Sequence, residues 1–256
     1  MLIHQRFVTV MALVVVMLLS SVFRNAEAQE PVDLELVLAA DGSGSIDDEE
    51  LRLQREGYAR AVRNPRVLEA LTGGIYGKSV IAYVEWGSAE SQHTIVDWTV
   101  IDGPDAAASF GKSLVEARRQ AWGYNSISNA IVYSQNLLET NPFRGLRRVI
   151  DISADAGNIG GVALSIARQS AISSGITING LAISRPGSTR PLRATSLETE
   201  FRDQIIGGTG AFVVTVDETT SFEQAVLKKM ILEVAGRSQV DLATLPQMGR
   251  LVFAQD

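Results

Sequence analysis

Asp41, Ser43 and Ser45 stand at alternate positions in the stretch Asp41-Gly42-Ser43-Gly44-Ser45. The intervening glycines let the backbone fold tightly enough for three oxygen side chains to face one point. Hard divalent cations take such oxygen ligands. A second carboxylate stands in Ala154-Asp155-Ala156-Gly157-Asn158. Two carboxylates and two hydroxyls match a Mg²⁺, Mn²⁺ or Ca²⁺ site with one coordination position open. A metal-free alternative exists. Ser45 is a good helix N-cap, and Asp47, Asp48, Glu49 and Glu50 suit a first helical turn, where the macrodipole favours acids. Capping accounts for Ser45 and the acidic run, but not for Asp41 and Ser43.

Competing chemistries fail on residue type or spacing. The chain has no cysteine, which excludes a thiol nucleophile, a disulfide scaffold and cysteine-held metal clusters. An EF-hand would need Gly after Ser45 and Glu near the end of its loop, where Ile46 and Arg52 stand. In Gly42-Ser43-Gly44 the first Gly is too close for a nucleophile elbow. Gly73–Ser79 (GGIYGKS) ends like a P-loop, but Thr72 stands where the first Gly is required and a strand follows, so it reads as a turn. Gly207–Gly210 reads as a turn into a strand. His93 reads as a surface strand residue, Trp86 and Trp98 as packing, and Arg144, Arg147 and Arg148 as a solvated strand entry, with anion contact as the alternative. The formal charge of −6 argues against nucleic-acid binding.

The elements that must position these residues alternate between strand and helix. Strands are expected at Val32–Ala40, Ser79–Trp86, Arg148–Ser153, Ile176–Ile183 and Ala211–Val216, with His93–Ile101 as a hairpin arm on the second. Helices are expected at Asp47–Arg63, Pro104–Arg119, Ser128–Glu139, Val162–Ser174, Leu197–Ile206 and Ser221–Ala235. This order predicts an α/β fold with a doubly wound, mostly parallel sheet and helices on both faces. In such sheets ligands bind beyond the carboxyl ends of the strands. Asp41–Ser45, Asp155 and the loop Gly123-Tyr124-Asn125-Ser126-Ile127 fall at such ends. The tail Gly236–Asp256 fits no element.

The Asp-x-Ser-x-Ser turn after the first strand, with Asp155 after a later one, resembles the von Willebrand factor A-type domain and its metal-ion-dependent adhesion site. That resemblance implies that Asp41, Ser43, Ser45 and Asp155 hold a divalent cation. It also implies a ligand from a second loop. The family has Thr there, where this chain has Asn125; Asn125 offers a carbonyl oxygen, and Ser126 is a possible additional ligand. The stretches LQREGYARAV (53–62), NPFRGLRRVIDIS (141–153), GITINGLAI (175–183) and IIGGTGAFVV (205–214) are similar to a bacterial family of exported A-domain proteins of unassigned function.

The amino terminus carries one Arg and one His, then the apolar run Phe7–Val22, then Arg24-Asn25-Ala26-Glu27-Ala28. This is the layout of a secretory signal cleaved after Ala28. The alternative is a membrane anchor, for which the run is short against the roughly 20 residues of a span. The expected organisation is signal peptide 1–28, A-like domain 29–235 and tail 236–256, in a periplasmic or secreted protein that meets a membrane only through an uncleaved signal. The expected function is binding, without catalysis: the cation takes an acidic side chain from a partner protein. A scaffold that has lost its metal and a metal-assisted hydrolase are the alternatives.

Overall fold

The computed structural model describes residues 29–184, 196–216, 221–235 and 250–254. The expected signal segment 1–28 and most of the tail lie outside the described residues. Met1–Glu30 and Pro31–Asp256 form separate units, and the second carries the sheet. In chain order the elements are β1 (Glu30–Asp41), α1 (Asp48–Val62), α2 (Pro65–Thr72), β2 (Ser79–Trp86), β3 (Gln92–Ile101), α3 (Pro104–Glu116) and α4 (Ile127–Thr140). There follow β4 (Phe143–Ala154), α5 (Leu164–Ser173), β5 (Thr177–Ile183), α6 (Leu197–Glu200) running into a π-helical turn (Phe201–Ile205), β6 (Phe212–Val216), α7 (Phe222–Ala235) and β7 (Arg250–Phe253).

The seven strands lie in the order β3-β2-β1-β4-β5-β6-β7. β1 runs parallel to β2, β4 to β5 and β5 to β6, whereas β3 and β7 close the two edges antiparallel. The doubly wound, mostly parallel α/β fold is therefore as expected. The chain starts in the middle and turns to opposite sides after β1 and β4. The switch point lies between these two strands, and a crevice at their carboxyl ends is where such sheets bind ligands.

Alternation along β1 feeds both layers. Leu34, Leu36, Leu38 and Ala40 pack with Tyr58, Val67, Phe110, Val226 and Met230 of α1, α2, α3 and α7. Val37 and Ala39 point to the other face, against Ile127 and Ile131 of α4, Ala167 of α5 and Phe201. A strand buried on both faces reads as a continuous apolar run, which is what Leu36–Ala40 shows within the expected strand.

Several features depart from the sequence reading; β4, for one, begins at Phe143 and not at the expected Arg148. α2 was not anticipated, although Asn64 caps it by accepting from Arg66 N–H at 3.0 Å and Pro65 opens it. β7 forms within the tail read as having no element, because β6 offers an edge to pair with. α3 stops at Glu116, short of the expected Arg119, because Arg55 draws the carbonyls of Ala117 and Arg118 out of the helix.

The glycine-rich Gly73–Ser79 turn does hold an anion, but it is the chain's own. The Asp33 carboxylate accepts from Tyr76 N–H at 3.0 Å and Lys78 N–H at 3.2 Å. A Cβ on Gly74 would lie 2.2 Å from Asp33 Cγ, so a side chain there would displace the Asp33 carboxylate from the turn. The basic cluster is structural in two of its three members. Arg147 donates to the carbonyls of Glu233 and Val234 at the end of α7, and Arg148 donates to the Ser174 carbonyl at the end of α5. Both satisfy helix carbonyls that lack partners within the helix.

Candidate functional site

β1 delivers Asp41 to the switch point and β4 delivers Asp155. The Asp41 side chain is fully buried and turns back on its own loop, where Oδ1 accepts from Ser43 N–H at 2.8 Å. Ser43 Oγ lies 3.0 Å from Ser45 Oγ, and Ser45 Oγ donates to Asp155 Oδ1 at 3.1 Å. Asn125 comes from the loop before α4. Its Nδ2 donates to Asp41 Oδ2 at 2.9 Å and to Asp155 Oδ1 at 3.3 Å. The five residues thus form one hydrogen-bonded ring. Asp41, Ser43 and Asn125 make its buried floor, and Ser45 and Asp155 face outward. Ser126 is not in the ring: its hydroxyl lies 3.5 Å from Ser128 Oγ, turned towards the α4 side.

Ser45 is not the cap of α1. Asp47 is: it accepts from Glu50 N–H at 2.8 Å, and Glu50 returns the contact to Asp47 N–H at 2.9 Å. This capping box explains the acidic run and leaves the Ser45 hydroxyl to the ring. The two roles separate experimentally. Asp47→Ala is expected to cost about 0.5–2 kcal/mol of stability in urea unfolding, without changing any response to metal. Ser45→Ala is expected to do the converse, and a cap-sized stability loss in Ser45→Ala would contradict this assignment.

Burial pushes the Asp41 carboxyl up to about 7; the Ser43 hydrogen bonds oppose the rise and the charge on Asp155 adds to it. A cation between the two carboxylates would reverse this penalty. The donor set of two carboxylates, two hydroxyls and an amide suits a hard cation such as Mg²⁺ or Ca²⁺. Among the described residues no group of three or more His, Asp or Glu side chains forms a metal cluster. The hydroxyls and the amide are therefore integral to any ligand set here.

Several residues that support the ring carry no signal in sequence. Arg119 donates from Nη2 to the carbonyls of Gly42 and Ser43 at 2.9 and 2.8 Å and pairs with Asp48 at 3.0 Å, clamping the serine turn from outside. Gln54 of α1 donates to the Asp41 carbonyl at 3.0 Å and accepts from Ser153 Oγ at 2.9 Å, tying the ends of β1 and β4 together. Beneath the Asn125 loop, Gly87 accepts from Ser126 N–H at 2.7 Å. A Cβ there would lie 2.1 Å from the Trp122 carbonyl oxygen, so only glycine lets the loop settle. Trp86 is buried, with Nε1 donating to the Ala39 carbonyl at 3.0 Å, which is a packing role. His93 Nε2 lies 3.2 Å from Ser91 Oγ on the half-buried β3.

The model of a family described as "Protein of unknown function (DUF1194)" matches residues 31–238. The chain belongs to that family. Among curated proteins none matches. Solved structures give the fold. A von Willebrand factor type A protein from Catenulispora acidiphila superposes with a TM-score of 0.55 at 16% identity, covering 80% of this chain and 42% of that one. The pilus adhesin SpaC from Lactobacillus rhamnosus GG, in its open conformation, gives 0.57 at 12% identity, covering 88% of this chain and 37% of that one. Proximal thread matrix protein 1 from the mussel byssus, with a zinc-occupied MIDAS motif, gives 0.57 at 13%, covering 79% and 46%. The chain spans less than half the length of each of these structures. At these identities the likeness is one of fold: this member of the DUF1194 family takes a von Willebrand factor A-type fold.

Proposed function

We propose that this chain is an exported protein-binding module that uses a divalent cation, Mg²⁺ or alternatively Mn²⁺ or Ca²⁺, to engage an acidic side chain of a partner protein. Asp41, Ser43, Ser45, Asn125 and Asp155 hold the cation, and an open coordination position takes the partner's carboxylate. The observation that carries this reading is the ring itself: two carboxylates from separate strands meet two hydroxyls and an amide within hydrogen-bond distance. The zinc-occupied motif in the mussel byssus structure is a precedent on the same fold. Exposed apolar residues on the two loops that carry Asn125 and Asp155 add a surface for a protein partner: Trp122, Tyr124, Ile159 and Val162. Export rests on the signal-like residues 1–28, with the A-type domain over 29–235 and the tail returning β7 to the sheet.

The same ring supports a second reading, a metal-free scaffold. As placed, the Asn125 amide donates to both carboxylates, which a cation would otherwise bridge. Metal binding requires the amide to turn and present its oxygen.

Thermal unfolding of the chelated protein, with and without added Mg²⁺, Mn²⁺ or Ca²⁺, separates the two. A cation that binds only the native state at about 100 times its Kd adds about 2.7 kcal/mol. The midpoint is expected to rise in the wild type and to stay put in Asp41→Ala. No rise at millimolar metal would leave the scaffold as the account, and an equal rise in Asp41→Ala would place any metal elsewhere.

A further inference from the structure

On the opposite side of β4 from α4, the core holds a lysine and two carboxylic acids that the cation site does not use. Lys229 of α7 is 1% exposed, and Asp151 of β4 and Glu233 of α7 are fully buried. Lys229 Nζ donates to Glu233 Oε2 at 2.9 Å and Oε1 at 3.2 Å. Asn179 Nδ2 fixes Glu233 from β5 at 2.8 Å, and Asn179 is itself held by Phe212 N–H at 3.0 Å. Lys229 Nζ is also in direct contact with Asp151 Oδ1. That contact lacks the angles of a hydrogen bond, and neither oxygen of Asp151 has a hydrogen-bond partner. An ordinary buried ion pair aims the ammonium along a carboxylate lone pair. Here the Lys229 nitrogen touches two buried acids at once, Asp151 of β4 and Glu233 of its own helix.

We propose that Lys229 and Asp151 condense into an intramolecular isopeptide bond, with Glu233 carrying the proton. Lys229 Nζ passes a proton to Glu233, and its lone pair attacks Asp151 Cγ. The carbon–nitrogen bond forms, the carbon–oxygen bond to the Asp151 hydroxyl breaks, and a second proton from Nζ reaches the departing oxygen through Glu233. An ammonium, a carboxylic acid and a carboxylate become an amide, a water and a carboxylic acid. No oxidant or co-reactant is needed.

The surroundings favour each step. Burial, reinforced by the charge on Glu233 and opposed by Lys229, pushes the Asp151 carboxyl up to about 8. It therefore keeps its proton at neutral pH and offers an uncharged acyl carbon. In water, condensation is opposed by the stability of the separate ions, and a dry core removes that opposition because isolated charges are costly there. The Phe212 ring stands 5.7 Å from Nζ and walls the group off. The product would bolt β4 to the last helix of the domain. It would give a chain without cysteine the kind of covalent cross-link that exported proteins commonly take from disulfides.

Peptide mapping of the purified full chain tests this directly. Trypsin is expected to release a branched peptide joining the stretch after Arg148 to the stretch after Lys228, one water lighter than the two together, with no cleavage after Lys229. Recovery of the two peptides unlinked, with cleavage after Lys229, would overturn the proposal whatever the variants do. Lys229→Arg is expected to give only unlinked peptides and a lower melting temperature. Glu233→Gln is expected to slow linkage about 100-fold or more, the scale of a lost proton carrier. Wild-type linkage rates in Glu233→Gln would remove Glu233 from the step.

Discussion

Replacing Arg55 by Ala is expected to destabilise the protein by about 3–5 kcal/mol, the range for removing one partner of a buried ion pair. Arg55 Nε meets Glu85 Oε1 at 2.7 Å, with side-chain exposures of only 7% and 0%. Glu85 Oε2 has no hydrogen-bond partner, so the guanidinium is the main compensation for that charge. In the variant the carboxylate stays buried without it. The loss reaches the candidate site as well. Arg55 also holds the carbonyls of Ala117 and Arg118. Releasing them frees the segment that aims Arg119 at the Gly42 and Ser43 carbonyls. Urea unfolding measures the effect, and a loss below 1 kcal/mol would show that the pair contributes little. The double variant Arg55→Met/Glu85→Leu is expected to recover most of the stability, because the cost lies in the orphaned charge. It is not expected to restore the anchoring of the 117–119 segment.

Trp86→Ala is expected to cost a similar amount, about 3–5 kcal/mol, through the cavity left by a large buried ring. Trp86 ends β2, pairs in register with Asp41, and fills the layer between the sheet and α4. Its Nε1 donates to the Ala39 carbonyl, so the variant also loses that hydrogen bond. Chemical denaturation of the variant decides the matter. Stability within 1 kcal/mol of wild type would show that the ring is not packing the core.

Much of the fold was legible because its elements are written locally. β2 runs over Ser79–Trp86 as read from its apolar run, and the β3 hairpin arm pairs with it antiparallel. Helix starts with a proline or an acidic first turn were found within a residue or so, as at Pro104 and Asp48. The elements that escaped depend on distant partners. β7 exists because β6 has a free edge, and α3 ends early because an arginine from α1 takes its carbonyls. The helix at Leu197 becomes a π-helical turn at Phe201, whose ring packs close over Gly180 of β5. α2 differs from these in needing no distant partner, since Asn64-Pro65 is a local start signal.

The candidate site divides in the same way. Residue type and spacing alone nominated Asp41, Ser43, Ser45 and Asp155, because a strand end followed by alternating oxygen side chains and glycines is a local pattern. The sequence could not decide what Ser45 does. Competition between two caps for α1 is settled by the backbone angle at which the chain enters the helix, and Asp47 takes that place. Nor could it tell Asn125 from Ser126. Neighbouring residues before a helix point in different directions, and only the packed loop over Gly87 turns the amide inward and the hydroxyl away. The joining of Lys229 with Asp151 across about eighty residues of sequence likewise belongs to the tertiary structure. Local chemistry is fixed by neighbours along the chain, whereas which charges meet in a dry core is fixed by how strands and helices stack.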